Sequence, residues 1–177
     1  MNVRPAISSD VAACVAIDHS TDTDHVWQMD QHTVDGEITV AFRTVHLPRS
    51  MRVRYPRDPR ALIDDWARRD CFLVADDNGA IRGYLNMTVQ PSPYVGWIAD
   101  FAVARPHRRQ GVGTSLLAAA GRWAQEHNLV RLMVETPSKN YAAISFCLRN
   151  RFTFCGYNDR YYANQDIALF FELSLRV

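Results

Sequence analysis

Apolar residues recur at two different periods along this chain, and each change of period marks an element. Residues 2–7 read as a first strand. From Asp10 to Ser20 the apolar positions fall three and four residues apart, the period of one helix face, with Ser9 and Asp10 as candidate N-caps. Between His25 and Leu47 polar and apolar positions alternate instead. That alternation is centred on Asp35-Gly36 and predicts a hairpin closed by a tight turn. An arginine- and proline-rich loop at 48–60 and a short helix at 60–69 follow.

The second half is more regular. Residues 71–77 and 81–89 flank the turn pair Asn78-Gly79 and read as a second hairpin. After Pro91 and Pro93, residues 94–103 form a strand, and an apolar-periodic helix runs from about Val112 to His127. The stretch 129–135 is a buried-type strand, 140–151 a helix and 166–177 a final strand. The order is strand, helix, hairpin, helix, three strands, helix, strand, helix, two strands. It mixes strand–helix–strand crossovers with hairpins, so a mixed sheet covered by helices is expected. No repeat or domain linker interrupts it.

Composition narrows the class only modestly. The chain of 177 residues is 47% hydrophobic and 22% charged, which fits one soluble globular domain. A net charge of +1 disfavours a general nucleic-acid binder. The four cysteines are scattered and form no C-x-x-C pair, so buried thiols in a reducing compartment are expected. No apolar run approaches the roughly 18 residues of a membrane span. The N-terminal segment lacks a signal-peptide core, and a cytoplasmic location is the expectation.

The chemistry concentrates at Arg108-Arg109-Gln110-Gly111-Val112-Gly113-Thr114, which runs straight into a helix. Glycines let a backbone approach an anion closely, and the first N–H groups of a helix point at it. A P-loop would need G-x-x-x-x-G-K-[ST], a spacing that is absent. A dinucleotide fingerprint is closer, with Glu135 about 20 residues on. Its third glycine position is Leu116, however, and seven residues separate the strand from Gly111. The remaining reading is a pyrophosphate held by R-x-x-G-x-G at a helix start.

R-x-x-G-x-G after a strand ending Phe101-Ala102-Val103 resembles the coenzyme A motif of the GCN5-related N-acetyltransferases, the GNAT superfamily. The segment 134–152 is similar to that family's strand–Asn–helix unit. The resemblance runs from about Cys71 to Phe154, together with the first strand and helix. It implies an α/β (α+β) fold over 1–177: a mixed, mostly antiparallel sheet flanked by helices, with two strands splayed to open a coenzyme A cleft. The implied acyl donor is acetyl-CoA, with no metal. Phe101, Ala102 and Val103 would pair with pantetheine as an added strand. Arg108, Arg109, Gln110, Gly111, Val112, Gly113 and Thr114 would hold the pyrophosphate, and Asn140 would contact the coenzyme arm or a water. Glu135 matches the general base of members resembling ribosomal-protein N-terminal acetyltransferases. The tail with 132–136 is similar to streptothricin acetyltransferases.

Two departures stand out. Cys147 occupies the position of a frequent tyrosine proton donor, leaving Cys147 itself, Tyr141 or Tyr157 to supply it. Arg151-Phe152 replaces a usual Gly-Phe pair, which should alter only the helix end. Asp100 is the second candidate base, set against a charge on the far face of the sheet. Asp18, Asp22 and Asp24 follow the first helix and could draw an ammonium acceptor; a solvated loop is the alternative. The six histidines show no metal spacing. The expected activity is transfer of an acetyl group from acetyl-CoA to a primary amine by direct attack in a ternary complex. The acceptor would be a small molecule or a protein N-terminus, with no membrane partner and with a homodimer left open. The rival readings are a non-catalytic acyl-CoA sensor of the same fold and an RNA- or ribosome-associated protein using the arginine loop 49–60.

Overall fold

The computed structural model describes residues 1–90 and 94–175. Pro91 and Pro93, and the last two positions of the predicted final strand, lie outside the described residues. A seven-stranded sheet is ordered β1-β4-β5-β6-β7-β9-β8. Its strands are β1 (Asn2–Pro5), β4 (Cys71–Asp77), β5 (Ala80–Gln90), β6 (Val95–Val103), β7 (Arg131–Pro137), β8 (Thr153–Asn158) and β9 (Ala168–Ser174). Every neighbouring pair is antiparallel except β6 with β7. The predicted mixed, mostly antiparallel sheet flanked by helices is what forms.

Helices cover the sheet from both sides. Against one face, α1 (Val11–Ala16) and α2 (Ala61–Asp65) bury Val11, Cys14 and Leu62 over Phe72, Val74 and Tyr84. Against the other, α3 (Val112–Glu126) and α4 (Tyr141–Arg149) bury Leu116, Leu117, Ala120 and Ile144 over Leu73, Leu85, Leu132 and Phe171. This double cover explains why Cys71, Phe72, Leu73, Val74 and Ala75 run as unbroken buried positions rather than alternating.

The first helix is shorter than its apolar period suggests. Asp10 does not cap it with its side chain. The carboxylate accepts instead from Ile7 N–H at 2.9 Å and from Arg4 at 2.7 and 3.0 Å. The Arg4 bonds, then the Ile7 N–H, outweigh burial and hold the Asp10 carboxyl below its ordinary range. Ile17 is already extended, which releases 17–20 to run toward the cleft described below.

The hairpin is longer than predicted, with β2 (Thr21–Val34) paired to β3 (Glu37–Val53) as a separate two-stranded sheet. Half of the predicted arginine loop is therefore strand. His25 faces His46 whereas Thr23 faces Met51, so residues 47–50 bulge out. The bulge accommodates Pro48, which cannot donate to a ladder. Trp27 and Phe42 pack the hairpin onto Phe154 and Phe171, and Trp27 N–H bonds the Ser138 carbonyl at 2.9 Å. Among the described residues no helix is long and apolar enough to cross a membrane.

Candidate functional site

β6 and β7 pair only from Val95 with Arg131 to Ile98 with Val134, then part. The cause lies in β6. Ile98 faces Met87 and Asp100 faces Asn86, which leaves Ala99 as an extra residue in a bulge. A bulge bends its strand and interrupts the ladder. Past it, a cleft of about 580 Å³ opens. Phe101, Ala102 and Val103 form one wall, α4 residues Ala143, Phe146 and Arg149 with Asn140 the other, and the glycine loop closes one end.

That end is preset for close backbone approach. Arg109 and Gly111 both adopt left-handed conformations, at φ +64° and +83°. Gly111 is the N-cap of the fifteen-residue α3, so the first free N–H groups of that helix face the loop. A Cβ on Gly113 would lie 3.2 Å from Phe146 Cε2, so glycine there lets the helix start press against the cleft wall. Arg109 has no hydrogen bond or ion pair among the described residues and lines the cleft.

Arg108 does different work. Its guanidinium donates to the carbonyls of Val103 at 2.8 Å, Ser20 at 2.8 Å and Asp18 at 2.6 Å, pinning the segment after α1 to the end of β6. Burial lowers this arginine below its ordinary value, as does the charge of Arg105. Asp18 and Asp22 bond Arg105 at 3.0 and 2.6 Å, and Asp18 also bonds Arg52 at 2.9 Å. Asp24 bonds His25 at 2.7 Å. Asp18 and Asp22 thus lie beside the residues that lead into the glycine loop, and all three carboxylates are engaged with basic partners.

Beyond Phe101, Asn140, Ala143 and Phe146, which line both spaces, a smaller cavity of about 90 Å³ continues toward β7. Phe101 and Phe146 meet edge to face there at 5.3 Å. Glu135, Cys147, Arg57 and Tyr162 line this inner chamber. The Glu135 side chain is 2% exposed, so its carboxylate must be compensated. Arg57 Nη2 donates to Oε1 at 2.5 Å and Tyr161 donates to Oε2 at 2.9 Å. Arg57 also bonds the carbonyl of the bulged Ala99, so it bridges the two parted strands. Burial opposes the Arg57 charge, yet Glu135 and its neighbours outweigh burial and raise it above its ordinary value.

Asp100 faces the α1/α2 side of the sheet. It accepts from Tyr55 OH and from Asn86 Nδ2 at 3.0 Å, with Arg57 and Arg69 at 3.8 and 3.9 Å. It lines neither cavity. Asn140 caps α4 by accepting the Ala143 N–H at 3.1 Å. Cys147 is buried, and burial pushes its thiol up to about 12. Tyr141 stacks on His25 and Tyr157 packs on Phe42, so neither expected substitute for the missing tyrosine reaches the chamber. Arg57, Tyr161 and Tyr162 do reach it or its carboxylate, and nothing in their spacing signalled that. In the sequence Arg57 is one of several arginines in the loop 48–60, with nothing to set it apart.

The site thus combines a sheet parted at a bulge, a glycine loop at a helix start and a buried carboxylate at the inner end. Residues 41–152 match the model of the acetyltransferase (GNAT) family, and the chain belongs to that family. It is 38% identical over 77 residues to streptothricin acetyltransferase A of Bacillus subtilis, covering 41% of this chain and 44% of that protein. Against the streptothricin acetyltransferase of Streptomyces lavendulae the identity is 28% over 169 residues, 90% of this chain and 85% of that one. A nourseothricin acetyltransferase structure superposes with a TM-score of 0.83 at 25% identity, covering 99% of this chain and 98% of the other. A Bacillus anthracis structure solved in complex with acetyl coenzyme A superposes at 0.76 with 22% identity, covering 98% of each chain.

Proposed function

We propose that this protein transfers the acetyl group of acetyl-CoA to a primary amine by direct attack in a ternary complex. The observation that carries the reading is the continuity of the two cavities. The cavity that ends at the glycine loop and the chamber that holds the buried Glu135 carboxylate share Phe101, Asn140, Ala143 and Phe146 as common lining, beside the unpaired edge of β6. Phe101, Ala102 and Val103 would accept pantetheine as an added strand, and residues 108–114 would hold the pyrophosphate through backbone N–H groups. Glu135 would take the proton of the attacking amine, directly or through a water. A β6 backbone N–H would stabilise the oxyanion as the carbonyl is attacked. Asp100 has a positioning role in this scheme, holding Tyr55 behind the bulge.

The acceptor we infer is a small amine of the streptothricin kind. Support comes from the likeness to streptothricin acetyltransferases across nine-tenths of the chain. A protein N-terminus is the competing acceptor, as in N-alpha-acetyltransferase 60 of Drosophila melanogaster, 33% identical over 84 residues. The test is a panel containing streptothricin, simple alkyl amines and free-N-terminus peptides, read as thiol released from acetyl-CoA. Turnover with streptothricin above the peptides, with intersecting initial-rate lines, supports the reading. Parallel lines would replace direct transfer by a two-step exchange. Binding of acetyl-CoA without release of thiol on any amine would leave a sensor.

A further inference from the structure

Tyr162 lies in the connection between β8 and β9 and is 7% exposed. Its hydroxyl is buried, with no hydrogen-bond partner among the described residues. Leaving a buried hydroxyl unpaired costs about 1–3 kcal/mol. The Glu135 carboxylate is near enough to act on this phenol without completing a hydrogen bond, so a group brought by a ligand can still satisfy it. The side chain lines the inner chamber together with Glu135, Cys147 and Phe101. Its neighbour Tyr161 uses its own hydroxyl on Glu135, so the two adjacent tyrosines divide the work. The connection is held by the ion pair of Lys139 with Asp166 and by the Gln165 N–H on the Tyr162 carbonyl at 2.7 Å.

Resting on the reading of this chamber as the place of acyl transfer, we propose that Tyr162 is the proton donor to the departing sulfur. It reaches the chamber from the β8–β9 connection rather than from α4. As the C–N bond forms and the C–S bond breaks, the amine nitrogen gives one proton to Glu135. The sulfur takes one from Tyr162, and Tyr162 recovers its own from Glu135. The net change is one amine proton moved to the thiol.

Reference acidities explain why the relay needs both residues. A phenol is a weaker acid than a thiol by about 1.5 pKa units, so donation alone runs uphill. A carboxylic acid is stronger than a thiol by about 4 units, so the coupled transfer runs downhill. Burial and the Glu135 charge both hold the Tyr162 phenol above its ordinary value, which keeps it protonated while amines titrate. Cys147 also lines the chamber, but burial is what raises its thiol and Glu135 does not act on it, as it does on Tyr162.

The experiment compares wild type with Tyr162→Phe, a change that removes only the unpartnered hydroxyl and should therefore raise the melting temperature or leave it no lower. With an amine found active, kcat is expected to fall about 10²-fold. Both KM for acetyl-CoA and the thermal stabilisation it confers should stay within about twofold. A second reading uses coenzyme A itself, titrated in complex by its ultraviolet thiolate band. Burial holds the thiols of Cys14, Cys71 and Cys147 up to about 12, and the exposed Cys155 is removed from both proteins by Cys155→Ser. A hydrogen bond from Tyr162 to sulfur favours the thiolate, so the bound thiol should titrate about one unit lower in wild type than in the variant. An active wild type with an equally active variant and identical thiol titrations overturns the donor role alone. A wild type that binds acetyl-CoA but turns over no amine overturns the transferase reading and this role with it.

Discussion

At one end of the cleft, Arg108, Arg109, Gly111, Gly113 and Thr114 line the wall from one short stretch of chain at the start of α3, while Val112 between them is buried in the core. At the other end, Arg57, Glu135, Cys147, Tyr161 and Tyr162 come from four separate stretches of chain and act through side chains. The outer end is wide, open to solvent and lined by arginine. The inner end is narrow and holds a carboxylate only 2% exposed. A permanent anion such as pyrophosphate is held well by dipoles and N–H groups, which need no titration. A reacting amine needs a group that changes protonation, and that group must be buried, paired and aimed.

Substitutions can separate the two ends. The largest effect is expected from Gly111→Glu, which should abolish the rise in melting temperature that acetyl-CoA gives wild type. A side chain at φ +83° is strained, and its carboxylate would stand where phosphate must approach. Retained stabilisation would remove the loop from coenzyme binding.

Next comes Arg57→Met, which leaves Glu135 buried without its cation. Breaking one side of a buried pair costs about 3 kcal/mol, seen as a lower urea midpoint. The double change Arg57→Met with Glu135→Gln should recover most of the loss, since no charge is then stranded. A double variant no more stable than the single one would show that the bridge to Ala99, not the ion pair, matters.

Glu135→Gln should lower kcat by about 10²-fold, some 2.7 kcal/mol in barrier, while leaving acetyl-CoA stabilisation intact. Loss of binding with loss of rate would merge the two ends that the geometry keeps apart. Cys147→Ala should cost less than about tenfold in kcat, since its thiol is pushed up to about 12 and is nearly never a thiolate at neutral pH. An acetylated Cys147 in a mass spectrum would instead make this residue an acyl carrier.

The smallest effect lies outside both ends and serves as a control. Arg151 takes the left-handed position that ends α4, at φ +65°. The next residue, Phe152, is 3% exposed, and its N–H bonds the Cys147 carbonyl at 3.0 Å. Arg151→Gly should therefore stabilise the fold by about 1 kcal/mol with no change in kcat. A destabilised variant would mean that the arginine side chain contributes more than its backbone costs.

Element order, both turn pairs and the helix start behind the glycine loop were legible because each depends on neighbours in sequence. Gly111 sets its own backbone angle, and β4 is apolar because helices cover both faces. Asp10 misled at short range, because Arg4 and Ile7 N–H competed for its carboxylate. The hairpin misled at its base, because a bulge hid Pro48 inside a paired strand. What only the tertiary structure decided was the inner chamber. Arg57 reads as a solvated charge until the bulge at Ala99 parts β6 from β7 and the ion pair with Glu135 spans the gap. Tyr162 stands out only once the β8–β9 connection brings its side chain to the chamber and leaves its hydroxyl buried without a partner among the described residues. Periodicity and turn chemistry act within a few residues and are written locally, whereas compensation of a buried charge is satisfied by whichever distant group the packed fold brings within reach.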